Sequence, residues 1–289
     1  MIYDEPRFLP GGDKFIEMEL GDEMSFDCNF LVHSVAALIR QAKIKGIVEL
    51  VPELSTIMIS YDGDQIGFAD VVREVGALRR SIGSLEDQEL DSRLIYFPVL
   101  YVDPWTRACY DDYCAKIAKK EWDPELLVRV NNLVDLKQLI RVHSGCEYWV
   151  AALGFWPGLA SHMPLDPRCV LTAPKYNPPR TWTPKQAIGV GGGLCAIYPD
   201  QTPGGYQIFA RTPAPIWEPT QTLPAFKQSL ALFRPGDRVR FVPVDREEYD
   251  YVERKVGEGS YQHVISDFQK FSIKRYHAWL ATIDPKERF

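Results

Sequence analysis

The chain has 289 residues, 46% of them hydrophobic and 25% charged, with a formal net charge of −6. That length predicts about two domains, and the composition is that of a folded globular protein, not a disordered one. The acidic balance argues against a nucleic-acid surface, which needs clustered Lys and Arg, and no apolar run approaches the ~20 residues of a membrane span.

Met1-Ile2-Tyr3-Asp4-Glu5 lacks the basic stretch and apolar run of a signal peptide. Six cysteines without a CxxC pair, and five histidines without HxxxH spacing, predict no metal site. Free thiols without a leader predict a reducing, cytoplasmic setting.

Residues 14–20 place Ile16, Met18 and Leu20 on one side and predict a half-buried strand. Leu31, Val35, Leu38 and Ala42 form one stripe of a helix over 29–43, ended by Gly46. Strands are predicted at 47–51 and 57–59. A second amphipathic helix carries Phe68, Val71, Val75, Leu78 and Ile82 and is closed by Gly83. Together these predict an α+β domain over residues 1–85, with the polar residues 84–92 as a linker.

A strand at 94–101 opens the second domain, predicted over 93–244. Within it, residues 104–145 read as a helical insertion broken near Asp123-Pro124 and Val134-Asp135. Strand returns at 148–153. From 154 to 244 Gly and Pro are dense, and short runs at 195–198, 206–210 and 239–242 predict a β-barrel or sandwich. Asp245 and Glu248 have capping-box spacing, and Ser272 can cap a last helix bearing Ile273, Tyr276, His277 and Leu280, so 245–289 reads as a helical tail.

Four loop segments concentrate unusual residues: 154–160 with Gly154, Phe155, Pro157 and Gly158; 164–168 with Asp166; 175–184 with Asn177 and Arg180; and 203–212 with Gly204, Gly205, Tyr206, Gln207 and Arg211. Such loops let backbone approach a ligand closely. Arg180 and Arg211 can each clamp a carboxylate. Gln207 and Asn177 offer a donor and an acceptor to an amide or ureido edge. Alternation along 206–210 turns either Tyr206 or Gln207 toward the pocket. His143 is a candidate general acid or base. The glycines at 189–193 are followed by no Lys-Ser/Thr and by a strand, so they predict a barrel turn, not a nucleotide loop.

These loops resemble the allophanate hydrolase subunit 1 family, which includes the sporulation kinase inhibitor KipI, the 5-oxoprolinase B subunit and half of the carboxyltransferase domain of urea carboxylase. Gly154-Phe155-Trp156-Pro157-Gly158, Leu165-Asp166-Pro167-Arg168 and Gly204-Gly205-Tyr206-Gln207 through Arg211-Thr212 carry the likeness. Lys175-Tyr176-Asn177-Pro178-Pro179-Arg180-Thr181-Trp182-Thr183-Pro184 is similar to the urea carboxylase branch, and so are the 103–132 insertion and the C-terminal residues to 280. His143-Ser144 and the 154–158 loop are similar to the 5-oxoprolinase branch.

The resemblance implies a small N-terminal α/β sandwich domain followed by a cyclophilin-like β-barrel. It implies work with a homologous subunit 2, and carboxyl transfer from carboxybiotin to a urea- or amide-like nitrogen. Carboxybiotin would come from a separate biotin carrier protein served by a biotin carboxylase, and ATP would be used by a partner and not bound here. The alternatives it implies are the B subunit of an ATP-dependent 5-oxoprolinase-type hydrolase, with His143 moving protons, and a KipI-like kinase regulator.

Overall fold

In a computed structural model the chain is described over residues 1–267 and 269–289. Two compact units emerge. The first comprises residues 1–92, 151–153 and 269–283; the second comprises 93–150, 154–267 and 284–289.

The first unit begins with two antiparallel strands, β1 (Ile2–Gly11) and β2 (Phe15–Gly21). Helix α1 (Phe26–Ala42) follows, with Ser25 accepting the Cys28 amide at its start. Strands β3 (Ile47–Pro52) and β4 (Thr56–Tyr61) and helix α2 (Phe68–Ser81) complete a sheet of order β1-β2-β4-β3 with two helices. Strict alternation buries Ile16, Met18 and Leu20 from β2, and Ile57 and Ile59 from β4. These pack on Val32, Val35, Ala36 and Ile39 of α1 and Val71 and Val75 of α2. Each such side chain contributes about 1.5–3 kcal/mol on burial.

The acidic residues 84–92 are structured and do not form a plain linker. Residues 85–87 make a 3-10 turn and β5 (Glu89–Asp91) is a short strand. Its partner comes from far along the chain, which is why local polarity alone reads as a connection.

The second unit starts at β6 (Leu94–Tyr101). Three helices then form the insertion: α3 (Pro104–Lys116), α4 (Asp123–Val130) and α5 (Leu136–Ser144). Asp103 and Asp135 cap α3 and α5, and Pro124 sits in the first turn of α4, so the two breaks are helix starts. Strands β7 (Glu147–Leu153), β8 (Ala160–Pro164), β9 (Arg180–Thr183), β10 (Ala187–Gly191), β11 (Leu194–Ile197), β12 (Thr202–Gly204), β13 (Gln207–Arg211) and β14 (Arg238–Pro243) follow.

Seven of these strands run β13-β10-β11-β8-β7-β14-β6, and pairing of β13 with β6 closes the ring into a barrel. β14 lies parallel to β6, while β9 and β12 pair with each other outside the ring. Closure leaves no free edge among the seven. Gly192 and Gly193 link β10 to β11 with φ of 61° and 87°. That is the two-residue hairpin geometry glycine favours, in agreement with a barrel turn at 189–193.

The residues from 245 do not form a helical layer of their own. Helix α6 (Arg246–Gly257) starts as the capping spacing predicts, with the Glu248 amide donating to Asp245 at 2.9 Å. Two strands follow: β15 (Val264–Ser266) adds to β6 in the second unit, and β16 (Lys270–Ser272) pairs with β5 in the first. Helix α7 (Ile273–Leu280), capped by Ser272, packs Tyr276 against Phe26, Phe30 and Phe271 in the first unit. Strands of three residues carry too little period to read from sequence.

Candidate functional site

The start of the loop 174–180 is fixed to the segment that leads into barrel strand β13. The Tyr176 amide donates to the Gly205 carbonyl at 2.6 Å, and the Gln207 side-chain amide donates to the Pro174 carbonyl at 2.6 Å. The Asn177–Pro178 peptide is cis, and Tyr113 of α3 donates its hydroxyl to the Pro178 carbonyl at 2.8 Å. Asn177 itself is exposed.

Beneath this loop lies a cluster of ionisable groups. Asp123 is fully buried at the start of α4. It takes the Lys120 ammonium, the Tyr176 hydroxyl at 2.6 Å and the Ile208 amide of β13 at 2.8 Å. Lys120 also donates to Gln207 Oε1 at 2.9 Å. The Tyr176 ring meets two cations, Lys120 Nζ at 4.0 Å and the Arg180 guanidinium at 4.4 Å from its centroid. Arg180, 1% exposed, donates to the Tyr206 carbonyl at 2.6 Å, to Thr183 Oγ1 at 3.2–3.3 Å and to the Tyr198 hydroxyl at 3.4 Å.

Both Tyr206 and Gln207 serve the region, from opposite faces of the strand start. Gln207 points into the cluster. The Tyr206 ring lies flat on β10, so close that a Cβ on Gly191 would meet it at 2.5 Å. Lys175 stands 5.5 Å from that ring's centroid. Burial raises the Tyr206 phenol to about 12, so it stays protonated at ordinary pH.

The charges do not balance. Lys120 and Arg180 bring two positive charges and Asp123 one negative, and among the described residues Arg180 has no carboxylate partner. Burial lowers the Lys120 pKa, Asp123 pulls it back up, and Arg180 lowers it again. A buried excess of positive charge favours an anion. Lys120 has three N–H donors and gives two of them to Asp123 and Gln207. Its side chain is 16% exposed, so the third donor can reach a ligand.

Other predicted site residues lie elsewhere. Arg211 stands at the far end of β13, roughly 13 Å from Gln207 by strand rise. Its guanidinium stacks on Trp105 at 4.5 Å and bonds the Lys185 carbonyl, the Tyr249 hydroxyl and Glu253. It therefore clamps α6 to the barrel instead of meeting a substrate.

His143 is fully buried in the barrel's aromatic core, among Tyr101, Tyr148, Phe209 and Phe241. Burial, reinforced by His162, drives its pKa down to about 3. It stays neutral with both nitrogens occupied, by the Tyr101 hydroxyl at 2.7 Å and Cys195 Sγ at 3.4 Å. This is a packing histidine, not a proton carrier for a substrate.

Asp166 accepts the Arg168 amide at 2.9 Å and pairs with its guanidinium at 2.7 Å, which completes a tight turn. The 154–158 loop, with Gly154 and Pro157, packs through Gly158 on Ile216 and Trp217 and presents Phe155 at 72% exposure.

Lys120 and Asp123 escape a reading of the sequence. Lys119-Lys120 looks like a solvated charge pair, and Asp123-Pro124 looks like a helix boundary. The boundary is real, but the same Asp reaches across 85 residues to the Ile208 amide.

Comparison with known proteins identifies related chains. The model of the carboxyltransferase domain, subdomain C and D, matches residues 6–227. The chain is similar to the urea amidolyase of Saccharomyces cerevisiae, 30% identical over 279 residues, which cover 94% of this chain and 15% of that protein. It is also similar to the 5-oxoprolinase B subunit of Bacillus subtilis, 28% identical over 250 residues, covering 82% of this chain and 92% of that protein. The fold is that of the solved Kluyveromyces lactis urea carboxylase, with a TM-score of 0.84 at 24% identity over 97% of this chain and 26% of that one.

Proposed function

Because the chain belongs to the carboxyltransferase-domain family, subdomain C and D, we propose that it is one half of a carboxyltransferase that works with a homologous subunit 2. In this reading a carboxyl group passes from carboxybiotin, delivered by a separate biotin carrier protein and charged by a biotin carboxylase, to a urea- or amide-like nitrogen. The observation that carries the reading is the buried excess of positive charge at Lys120 and Arg180 under the 174–180 loop.

Carboxyl transfer develops negative charge on oxygen, and donors fixed in advance in a dry site stabilise it most. The free N–H of Lys120 is the donor that meets the ligand. Asp123 keeps that ammonium charged and in place. Gln207 is committed at both ends of its amide, so it positions Lys120 and does not touch a substrate. Arg180 holds the Tyr206 carbonyl and adds its field. Asn177 and Gly205 line the loop above, where an acceptor amide can bond. Holding both reactants together supplies much of the remaining rate.

A second reading has one specific support. The chain spans about 15% of the urea amidolyase, but its match covers 92% of the B. subtilis 5-oxoprolinase component. We weigh that reading, an ATP-dependent cyclic amide hydrolase, below the first, because residues 175–184 keep the run shared with urea carboxylase. The test is reconstitution with a purified homologous subunit 2. Carboxylated product from free carboxybiotin and urea supports transfer. ATP-dependent opening of 5-oxoproline, without such product, overturns it.

A further inference from the structure

Lys120 lies in the short connection between α3 and α4, outside any helix or strand. A lysine side chain is long and flexible, so its ammonium meets a ligand in one place only when both its backbone and its tip are restrained. Asp123 and Gln207 hold the tip. Two tyrosines of α3, three residues apart and therefore neighbours on the helix surface, supply the other restraints.

Tyr110 donates its hydroxyl to the Lys120 carbonyl at 2.8 Å, and its ring centroid stands 5.6 Å from Lys120 Nζ. Tyr113 is 3% exposed and donates to the Pro178 carbonyl at 2.8 Å. Its ring meets the Tyr176 ring edge-on, with centroids 4.7 Å apart and planes at 74°. Tyr176 in turn donates to Asp123 Oδ1 at 2.6 Å, the same oxygen that takes the Lys120 ammonium. The helix that carries both tyrosines is itself fixed. Asp103 accepts the Trp105 and Thr106 amides at 3.0 and 2.9 Å at its start. Cys109 donates to the Trp182 carbonyl at 3.3 Å, and Asp112 accepts the Trp182 indole N–H at 2.8 Å.

We propose that Tyr110 and Tyr113 are positioning residues for Lys120. Tyr110 fixes the backbone from which the side chain springs. Tyr113, through Tyr176 and Asp123, fixes where the ammonium points. This rests on the reading of Lys120 as the donor that meets the ligand, and it adds two residues that reach no ligand themselves. Misplacing such a donor by about 1 Å costs up to ~10²-fold in rate. A tyrosine hydroxyl that only braced the helix would contribute to stability and leave Lys120 where it is.

The variants are Tyr110→Phe and Tyr113→Phe, which keep the rings and remove only the hydroxyls. The full chain in its folded state is treated with trace acetic anhydride over a series of pH values. Acetylation at each lysine is mapped by mass spectrometry, and Tm is measured alongside. In both variants Lys120 should be acetylated at least roughly threefold faster than in the wild type. Lys14 and Lys185 should keep their wild-type rates, and Tm should fall by no more than about 2–4 °C. In the complex reconstituted with subunit 2, kcat should fall roughly tenfold or more while the acceptor KM changes by less than about twofold. Unchanged acetylation at Lys120, or a rise shared by every lysine, overturns the proposal, and so does an unchanged kcat in an active complex. A wild-type complex that turns over no acceptor defeats the carboxyltransferase reading, and the acetylation map then decides the placement of Lys120 by itself.

Discussion

Lys120 keeps its ammonium in a half-buried place because Asp123 lies beside it and Gln207 accepts a hydrogen bond from it. Removing one member of such a set leaves another charge or dipole without its partner. Lys120→Met in the reconstituted complex should therefore lower turnover at least tenfold, about 1.4 kcal/mol or more of transition-state stabilisation. Asp123→Asn should go further and lower Tm strongly, since it leaves Lys120 and Arg180 buried without a counter-charge, at a cost of about 3–5 kcal/mol. Arg211→Lys should behave in the opposite way. It loses the stack on Trp105 and the bonds to Lys185 and Tyr249, so melting should fall by a few degrees while kcat is unchanged. Parallel melting and turnover curves check all three. Residue type and loop chemistry offered Arg180 and Gln207 as candidates, and the structure brings both to the cluster around Tyr176 and Lys120. Arg211 and His143 share those residue types, but their surroundings come from distant strands, so the sequence could not separate brace from site.

At the scale of elements, α7 is held by the packing of Tyr276 and by a second side chain with two anionic partners. His277 Nε2 meets Asp27 of α1 at 2.8 Å, and Nδ1 meets Glu86 of the 85–87 turn. Burial alone would lower the His277 pKa, but the two hydrogen bonds and charges outweigh it and the net shift is upward. A folded value above the unfolded ~6.5 gives stabilisation that is complete below that pH and lost as pH rises through the folded value. His277→Gln should therefore cost about 0.5–1 kcal/mol at pH 5.5 and close to nothing at pH 9, read as the gap between wild-type and variant Tm at each pH. The long elements were readable: the stripes of α1 and α2 and the alternation of β2 fixed their type. β1 was not, because it lies mostly exposed, with no alternation of apolar residues to betray it. β5 and β16 were not either, since each exists only by pairing with the other.

For the molecule as a whole, the proposed half-site leaves the other half to a partner, and the Tyr206 ring packs against Gly191 at the end of β10. The purified chain alone should show no turnover with carboxybiotin and urea, and titration with ATP and magnesium should release no heat; turnover without subunit 2, or saturable ATP binding, would contradict the half-site reading. The density of short strands left barrel and sandwich open and the resemblance implied the barrel, yet the strand order was not legible, because parallel pairing of β14 with β6 joins residues almost 150 apart. The strand that closes this ring, β13, is also the strand that carries Gln207 and receives Asp123. A one-residue slip of β13 would reverse every side chain along it, so a change made there to alter substrate choice would also open the barrel. The exposed residues Lys175 and Asn177 of the 174–180 loop, and Thr181 of β9, carry no such double duty. Within this architecture, new specificities are therefore expected to arise by drift in that loop while the closing strand stays fixed, and a selection for altered acceptors should return its substitutions at Lys175, Asn177 and Thr181 before any in 207–211.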